Sequence, residues 1–288
     1  MASGYFLGMT VATSLAGLEE RHRELAGVEL RYFVGGAGPS LLLLHGLGGG
    51  ALNWVELLPS LLDRYRVAVP DLPGHGRSGP LRPGAAMAAY AHVVAALTER
   101  EHSRPVLVAG HSFGGLVALR LAQRRPDLVR GLLLLAPAGI SSGARSRRTV
   151  ISVVGFVRPA RWVAPFRHRF ADRLWYRRAL FRPWFVSDAS ALSPRAALGF
   201  LESAGEHVDV RTAGRALVQD DPRHELERVT APAVIVWGAR DPQLPLDDAF
   251  EYTRRLQAKL RVVADCGHLV IGERPDACLS ALDELARL

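Results

Sequence analysis

The sequence has few cysteines, almost no lysine and no long apolar run, and each shortage argues against a class of protein. Its two cysteines, Cys266 and Cys278, lack the spacing of a zinc or redox motif, and a disulfide between them is left open. The segment 1–18 has neither a basic start nor the run of about 20 apolar residues that a spanning helix needs. We therefore expect a cytoplasmic protein with no signal peptide or transmembrane segment.

Positive charge is abundant but is carried almost entirely by arginine, since Lys259 is the single lysine and the formal net charge is +8. Nucleic-acid-binding proteins of such charge carry basic runs, stacking aromatics or a groove-reading motif, and the sequence has none of these. It also lacks metal-ligand spacing among its histidines, a Walker pattern and a dinucleotide-binding glycine motif. The sequence therefore predicts no nucleic-acid partner, no metal and no cofactor.

Short apolar runs alternate with segments of helical length, which is typical of parallel strands buried on both faces. The runs cover 41–44, 66–69, 106–109, 132–135, 234–237 and 260–263. The helical segments cover about 54–65, 85–101, 114–125 and 246–256. This order predicts the α/β class, with a mostly parallel central sheet flanked by helices.

The alternation stops after residue 139 and resumes near residue 229. The segment between has no buried-strand run, is broken by four prolines at 159, 165, 183 and 194, and interleaves aromatic residues with arginines. We therefore predict one α/β core formed by residues 1–139 and 229–288, with residues 140–228 inserted as a helical cap.

The sharpest motif is the G-x-S-x-G segment that runs from Gly110 through Ser112 to Gly114, between a predicted strand and a predicted helix. Such a turn holds its serine in a strained backbone conformation, and a side chain at either glycine would collide with the neighbouring strand or helix. The helix that follows offers backbone N–H groups to developing negative charge. These features predict Ser112 as a nucleophile.

A serine nucleophile needs a base, and the base needs an acid to orient it. Asp241 and His268 each follow a predicted strand, so both would lie at the same sheet edge as Ser112. Asp265, Asp220 and Asp221 compete for the acid role, but Asp265 is expected to cap a turn. We predict Ser112, Asp241 and His268 as the catalytic residues.

These motifs resemble those of the α/β-hydrolase superfamily over nearly the whole chain. The resemblance also rests on two earlier segments, His45-Gly46-Leu47-Gly48-Gly49 and Asp71-Leu72-Pro73-Gly74-His75-Gly76-Arg77-Ser78. It implies an α/β-hydrolase fold whose oxyanion hole consists of the backbone N–H groups of Leu47 and Phe113. His45 and Gly46 would shape this loop, and His111 would be a packing residue.

The resemblance further implies that the inserted cap covers the nucleophile and lines an apolar substrate pocket. We predict Trp162, Phe166, Trp175 and Leu269 as pocket residues. The arginines of the cap are expected either to form a solvated helix face or to contact anionic membrane surfaces weakly.

The function that these residues predict is hydrolysis of a carboxylic ester with a small or lipid-like apolar substrate through an acyl-enzyme. Epoxide hydrolases and haloalkane dehalogenases of this superfamily need aspartate where Ser112 stands. Carbon–carbon hydrolases typically carry tryptophan where Leu269 stands, and they remain an alternative, as do acyltransferases and thioesterases. A non-catalytic ligand receptor is the alternative from another class.

Overall fold

A computed structural model describes residues 15, 17–102, 105–141, 166–182 and 184–288. Its centre is one eight-stranded sheet with the order β1-β2-β4-β3-β5-β6-β7-β8. Strands β1 and β2 pair antiparallel, as do β2 and β4, and the other neighbours pair parallel. The strands are Leu18–Leu25 (β1), Val28–Gly35 (β2), Ser40–Leu44 (β3), Arg66–Pro70 (β4), Val106–His111 (β5), Val129–Leu135 (β6), Ala233–Gly238 (β7) and Lys259–Val263 (β8).

The six strands predicted from apolar runs are confirmed, and the central ones are buried on both faces. Every residue of β5 and of β7 is buried, because helices cover both sides of the sheet. Each buried valine or leucine contributes about 1.5 to 3 kcal/mol relative to exposure. The helices are Leu58–Leu62 (α1), Met87–Glu101 (α2), Phe113–Arg124 (α3), Arg167–Phe170 (α4), Leu174–Phe181 (α5), Pro194–Gly205 (α6), Val210–Gln219 (α7), Leu246–Leu256 (α8), Val270–Glu273 (α9) and Pro275–Ala286 (α10).

The hairpin of β1 and β2 was not predicted. Ala26 and Gly27 form its two-residue turn, both with positive φ (48° and 77°), and Leu25 pairs with Val28. Strand β1 lies at the sheet edge and is mostly exposed, so it needs no apolar run.

The described part of the insertion between β6 and β7 contains helices and no strand of the central sheet. It comprises α4 to α7 and the 3₁₀ segment Pro222–Arg228. Helix α6 packs on the 3₁₀ turn Ala51–Trp54, where a Cβ at Gly199 would lie 2.4 Å from the carbonyl oxygen of Leu52. The insertion therefore contacts the loop that follows β3. The boundaries 140–228 stay a prediction.

Two further features of the described residues bear on the expectations above. Cys266 and Cys278 are both buried and free, so they form no disulfide in this structure. Within the described ranges, no helix has the length and apolar character required to cross a bilayer.

Candidate active site

Ser112 lies at the turn between β5 and α3 with φ 52° and ψ −114°, a backbone conformation that side chains rarely adopt. Backbone hydrogen bonds fix it in place. Its N–H donates to the Leu135 carbonyl at 2.9 Å, and its carbonyl accepts from Gly115 and from Ala138, both at 3.0 Å. Neighbouring strand and loop backbone thus hold the serine in this conformation.

Both glycines of the motif lie where a side chain has no room. A Cβ at Gly110 would come within 2.5 Å of the Gly114 carbonyl oxygen, and a Cβ at Gly114 within 2.2 Å of the Leu44 carbonyl oxygen. The obstacles are backbone atoms of the first helical turn and of β3, which cannot rotate away. The collision expected from the sequence for a side chain at either glycine is therefore present in the structure.

His268 and Asp241 are brought together by the loops after β8 and β7. The Nδ1 atom of His268 donates to Oδ2 of Asp241 at 2.7 Å, and both side chains are buried. The second carboxylate oxygen, Oδ1, accepts from the backbone N–H groups of Gln243 and Leu244 at 2.7 and 2.9 Å. With its proton on Nδ1, the His268 ring keeps Nε2 available as a base.

The competing acids lie elsewhere. Asp265 has an exposed side chain that pairs with Arg240 at 3.0 Å. Asp220 pairs with Arg120, and Asp221 accepts from the Arg223 backbone N–H in the segment before β7. Of the candidates considered, Asp241 is the one that contacts His268.

Glu273 supports the loop that carries His268. Its buried carboxylate accepts from the backbone N–H of Gly267 at 2.8 Å through one oxygen, and from those of Ser187 and Asp188 at 2.9 and 3.2 Å through the other. Burial raises the pKa of Glu273, and these three N–H groups act against that effect. One side chain therefore joins the histidine loop to the insertion, a role that the sequence analysis missed.

His45 uses both ring nitrogens to shape the loop after β3. Its Nδ1 donates to the Gly46 carbonyl at 2.8 Å, and its Nε2 accepts from the Leu72 backbone N–H at 2.9 Å. Burial lowers its pKa to about 4, so the ring is neutral at physiological pH. Both ring nitrogens of His45 are therefore occupied by backbone groups of the two loops that it joins.

Leu47 and Phe113 are the two residues whose backbone N–H groups are predicted to form the oxyanion hole. Leu47 lines the cavity in front of Ser112. The Phe113 side chain points into the core, where its ring packs edge-on against Tyr90 with centroids 5.2 Å apart. Only the backbone of Phe113 is therefore available for the oxyanion role predicted for it.

His111 does more than fill space beside the nucleophile. Its Nε2 donates to the backbone carbonyl of His268 at 2.9 Å, and the two rings lie 5.0 Å apart. Burial lowers the pKa of His111 to about 3, so it remains neutral and unsuited to act as a base near pH 7. It positions the loop of His268.

Ser112 and His268 line the same cavity, which has a volume of about 60 Å³. Loop glycines, two amides and a mostly apolar set of side chains complete the wall. The remaining lining residues are Gly46, Leu47, Gly48, Gly49, Asn53, His111, Ala138, Phe181, Phe185, Phe200, Ala204, Leu217, Gln243, Leu244 and Leu269.

Of the residues predicted to line the substrate pocket, Leu269 lines this cavity, whereas Phe166 and Trp175 do not. Phe166 is 55% exposed and Trp175 is 60% exposed, and neither lines the cavity. On α5 it is Phe181 that lines the cavity, because with about 3.6 residues per turn a residue six positions after Trp175 lies on a different face of the helix. Trp162 lies outside the described residues.

The other cavity residues of the insertion were not predicted as such. Phe185 is one of several aromatics in the insertion, while Phe200, Ala204 and Leu217 belong to no motif. Helical periodicity in α6 and α7 could have identified an apolar face, but not what that face covers. Within the described ranges, no group of three His, Cys, Asp or Glu side chains is placed to hold a metal ion.

A family profile and individual relatives were both found for this chain. A sequence profile described as "Alpha/beta hydrolase family" matches residues 41–281. The pimeloyl-[acyl-carrier protein] methyl ester esterase of Aromatoleum aromaticum is 33% identical over 265 residues, covering 86% of this chain and 98% of that protein. The match therefore extends over nearly the whole of that relative.

Two further comparisons involve a longer protein and a solved structure. The dihydrolipoyllysine-residue acetyltransferase component of the acetoin cleaving system from Pseudomonas putida is 31% identical over 255 residues, covering 86% of this chain. The chain spans only 64% of the length of that relative. A bacterial membrane phospholipase A has a similar fold, with a TM-score of 0.74, 24% identity and coverage of 96% of this chain and 90% of that one.

Proposed function

The chain belongs to the alpha/beta hydrolase family, and from that membership we propose that it is a serine hydrolase that cleaves carboxylic esters of small or lipid-like apolar substrates. The observation that carries the proposal is the site geometry. Ser112, in its strained turn, lines one cavity with His268, whose Nδ1 is held by Asp241 at 2.7 Å.

The reaction uses these groups in sequence. Ser112 Oγ attacks the ester carbonyl carbon while His268 Nε2 takes the hydroxyl proton, and the backbone N–H groups of Leu47 and Phe113 stabilise the oxyanion. The tetrahedral intermediate collapses, the alcohol leaves with the proton from His268, and an acyl-Ser112 ester remains. Water then attacks this ester with His268 again as the base, which releases the acid and the free serine.

Three observations favour ester hydrolysis over the alternatives. The described cavity wall is mostly apolar, which suits an alkyl acyl group. Leu269 follows His268 where carbon–carbon hydrolases typically carry tryptophan. The esterase relative is covered over 98% of its length, whereas the acetyltransferase relative is covered over 64%, so acyl transfer has the weaker support.

The test is hydrolysis of p-nitrophenyl esters from acetate to palmitate by the intact protein and by Ser112→Ala. We expect Ser112→Ala to lose at least about 10³-fold in kcat, as is usual when a serine nucleophile is removed. The matched control is Ser280→Ala, because Ser280 is exposed on α10 and only accepts a hydrogen bond from Arg261. Turnover that survives in Ser112→Ala would reject the assignment of the nucleophile.

We also propose that the insertion acts as a cap and that its outer face contacts anionic membranes. Phe166, Trp175 and Trp184 are each more than half exposed, and the same segment carries several arginines. Exposed aromatics beside cationic side chains suit the interface of an anionic bilayer.

The membrane contact is tested by vesicle co-sedimentation at low salt. We expect binding to vesicles that contain phosphatidylglycerol, none to phosphatidylcholine alone, and weaker binding for Trp175→Ser. The control is Phe250→Ser, because Phe250 is 52% exposed on α8 but lies outside the insertion. Equal binding to both vesicle types would reject the membrane contact.

A further inference from the structure

Asn53 presents an unused hydrogen-bond donor at the wall of the catalytic cavity. It belongs to the 3₁₀ turn Ala51–Trp54, is only 4% exposed, and lines the cavity with Ser112. Its Nδ2 has no hydrogen-bond partner among the described residues. Buried amide donors are normally paired, so this one needs an explanation.

The orientation of the amide is set by the oxyanion loop. Asn53 Oδ1 accepts from the Gly50 backbone N–H at 3.3 Å, and a Cβ at Gly49 would lie 2.0 Å from that same oxygen. The carbonyl end of the side chain therefore faces the loop backbone. The amino end, Nδ2, therefore points away from the Gly49 and Gly50 backbone, and Asn53 itself belongs to the cavity lining.

The rest of the wall offers no comparable donor. Phe181, Phe200 and Leu217 of the insertion are apolar. Gln243 is the other side-chain amide of the described lining, but its Nε2 already donates to the Trp184 carbonyl at 3.1 Å in an exposed position. Asn53 is therefore the buried amide of this lining whose donor is unpaired.

We propose that Asn53 Nδ2 is a specificity-determining donor that binds a second, uncharged oxygen acceptor on the acyl group of the substrate. This inference rests on the proposed ester hydrolysis. The preferred substrates are then esters of oxo- or ether-substituted acids rather than of plain alkanoic acids. We place the acceptor on the acyl group because that part of the substrate stays bound to Ser112 after the alcohol has left.

The acceptor is uncharged because the described cavity lining contains no lysine or arginine. A carboxylate there would lose its hydration without gaining a cation, which is strongly unfavourable. A ketone or ether oxygen needs only the one donor that Asn53 supplies.

A purely structural role for Asn53 would need only the acceptor Oδ1, whereas the proposed role needs the donor Nδ2. The variant must therefore remove Nδ2 and keep an acceptor. Asn53→Asp retains an acceptor for the Gly50 N–H and removes the Nδ2 donor. The readout is kcat/KM for methyl 3-oxopentanoate and methyl 4-oxopentanoate relative to methyl pentanoate. We expect the protein to prefer one oxo ester by about tenfold or more, and Asn53→Asp to lose that preference.

Gln243→Glu is the matched control, because it makes the same amide-to-carboxylate change at an amide that is already paired. We expect the oxo preference to persist in Gln243→Glu. An unchanged preference in Asn53→Asp would overturn the inference while ester turnover itself upheld the proposed function. The same preference lost equally in both variants would also overturn it.

Binding to Ser112→Ala separates the two proposals and does not need the Asn53 variant to fold. By calorimetry we expect one oxo ester to bind at least about tenfold more tightly than methyl pentanoate. Equal affinities would overturn the inference whatever the turnover. If the tighter binding occurs but no ester is hydrolysed by the intact protein, the proposed function fails and the Asn53 site stands.

Discussion

Asp241 holds His268 through a 2.7 Å hydrogen bond from Nδ1 to Oδ2, while the other carboxylate oxygen is fixed by two backbone N–H groups. The Asp241 carboxylate is therefore held in place by backbone hydrogen bonds that are independent of His268. This arrangement stabilises the Nδ1–H tautomer and any positive charge that forms on the ring during the reaction. The pair derives its rigidity from the strand ends of β7 and β8.

Replacing this acid by its amide tests the arrangement. Asp241→Asn presents an amide to His268 Nδ1 and favours the wrong tautomer, so we expect kcat for p-nitrophenyl butyrate to fall about 10³- to 10⁴-fold with little change in fold. Asp265→Asn is the control, because Asp265 is exposed and pairs with Arg240, and we expect less than a twofold effect. A comparable loss in Asp265→Asn would mean that the acid was misassigned.

Glu273 provides a second test, this time of stability. We expect Glu273→Gln to lower the free energy of unfolding by about 1 to 3 kcal/mol, since an amide NH₂ then faces a backbone N–H that a carboxylate oxygen had accepted. Urea denaturation measures the change, and kcat should fall as well because Gly267 adjoins His268. Glu251→Gln, at a partly exposed surface position of α8, should cost less than about 1 kcal/mol.

The glycine of the serine turn offers a test of packing. At Gly114 a methyl group would meet the Leu44 carbonyl oxygen at 2.2 Å, so Gly114→Ala must separate α3 from β3. We expect a loss of about 3 kcal/mol or more, measured by urea denaturation. Gly205→Ala, at the end of α6 with open space around its Cβ, should be neutral or stabilising. A Gly114→Ala protein as stable as the parent would contradict the tight contact.

The sequence predicted those parts of the fold in which the direction of individual side chains does not matter. Continuous apolar runs located β5 and β7, because in a strand buried on both faces nearly every side chain is apolar whichever face it is on. The strand ends then placed Asp241 and His268 together. The insertion was different: the interleaved aromatics predicted a covering segment, but only packing decides that Phe181 faces the cavity while Trp175 faces outward.

Polar side chains that belong to no motif could not be assigned a role from the sequence. Asn53 accepts from the backbone N–H of Gly50, three residues earlier, and Glu273 accepts from that of Ser187, 86 residues earlier. A single sequence contains no signal for such contacts. Strand β1 was missed because a mostly exposed edge strand lacks the apolar run that identified the others.

Acid should destabilise the protein through its buried histidines. Burial lowers the pKa of His45 and His207 to about 4 and that of His111 to about 3, against about 6.5 in an unfolded chain. The unfolded chain therefore binds more protons below pH 6.5, so stability is full above that pH and falls toward pH 4. For a fully buried histidine the slope approaches 1.4 kcal/mol per pH unit.

The contribution of buried histidines to the loss of stability in acid can be distinguished from the contribution of buried carboxyl groups. Asp71 and Glu273 have pKa values raised by burial, and raised carboxyl pKa values favour the folded state as the pH falls. We expect His207→Phe to lower the Tm loss between pH 6.5 and 4.5, because it removes one titrating ring that packs on His75. His22→Phe, at an exposed position of β1, should leave the slope unchanged, and equal slopes in all three proteins would contradict the prediction.

The length of the acyl chain accepted should depend on Phe200. This side chain of α6 lines the cavity, is nearly buried, and packs on Phe181 with ring centroids 6.3 Å apart. Phe200→Leu removes part of the ring and enlarges the cavity at a cost of about 1 to 2 kcal/mol in stability. Each methylene newly buried contributes about 0.8 kcal/mol, so two of them correspond to about tenfold in kcat/KM.

We therefore expect the ratio of kcat/KM for p-nitrophenyl octanoate over p-nitrophenyl butyrate to rise about tenfold in Phe200→Leu. Phe250→Leu is the control, because Phe250 is 52% exposed on α8 and contributes nothing to the cavity wall. A ratio that rises equally in both variants would reflect general loosening of the protein. A ratio that does not move in Phe200→Leu would mean that the acyl chain lies along another wall of the cavity, away from α6.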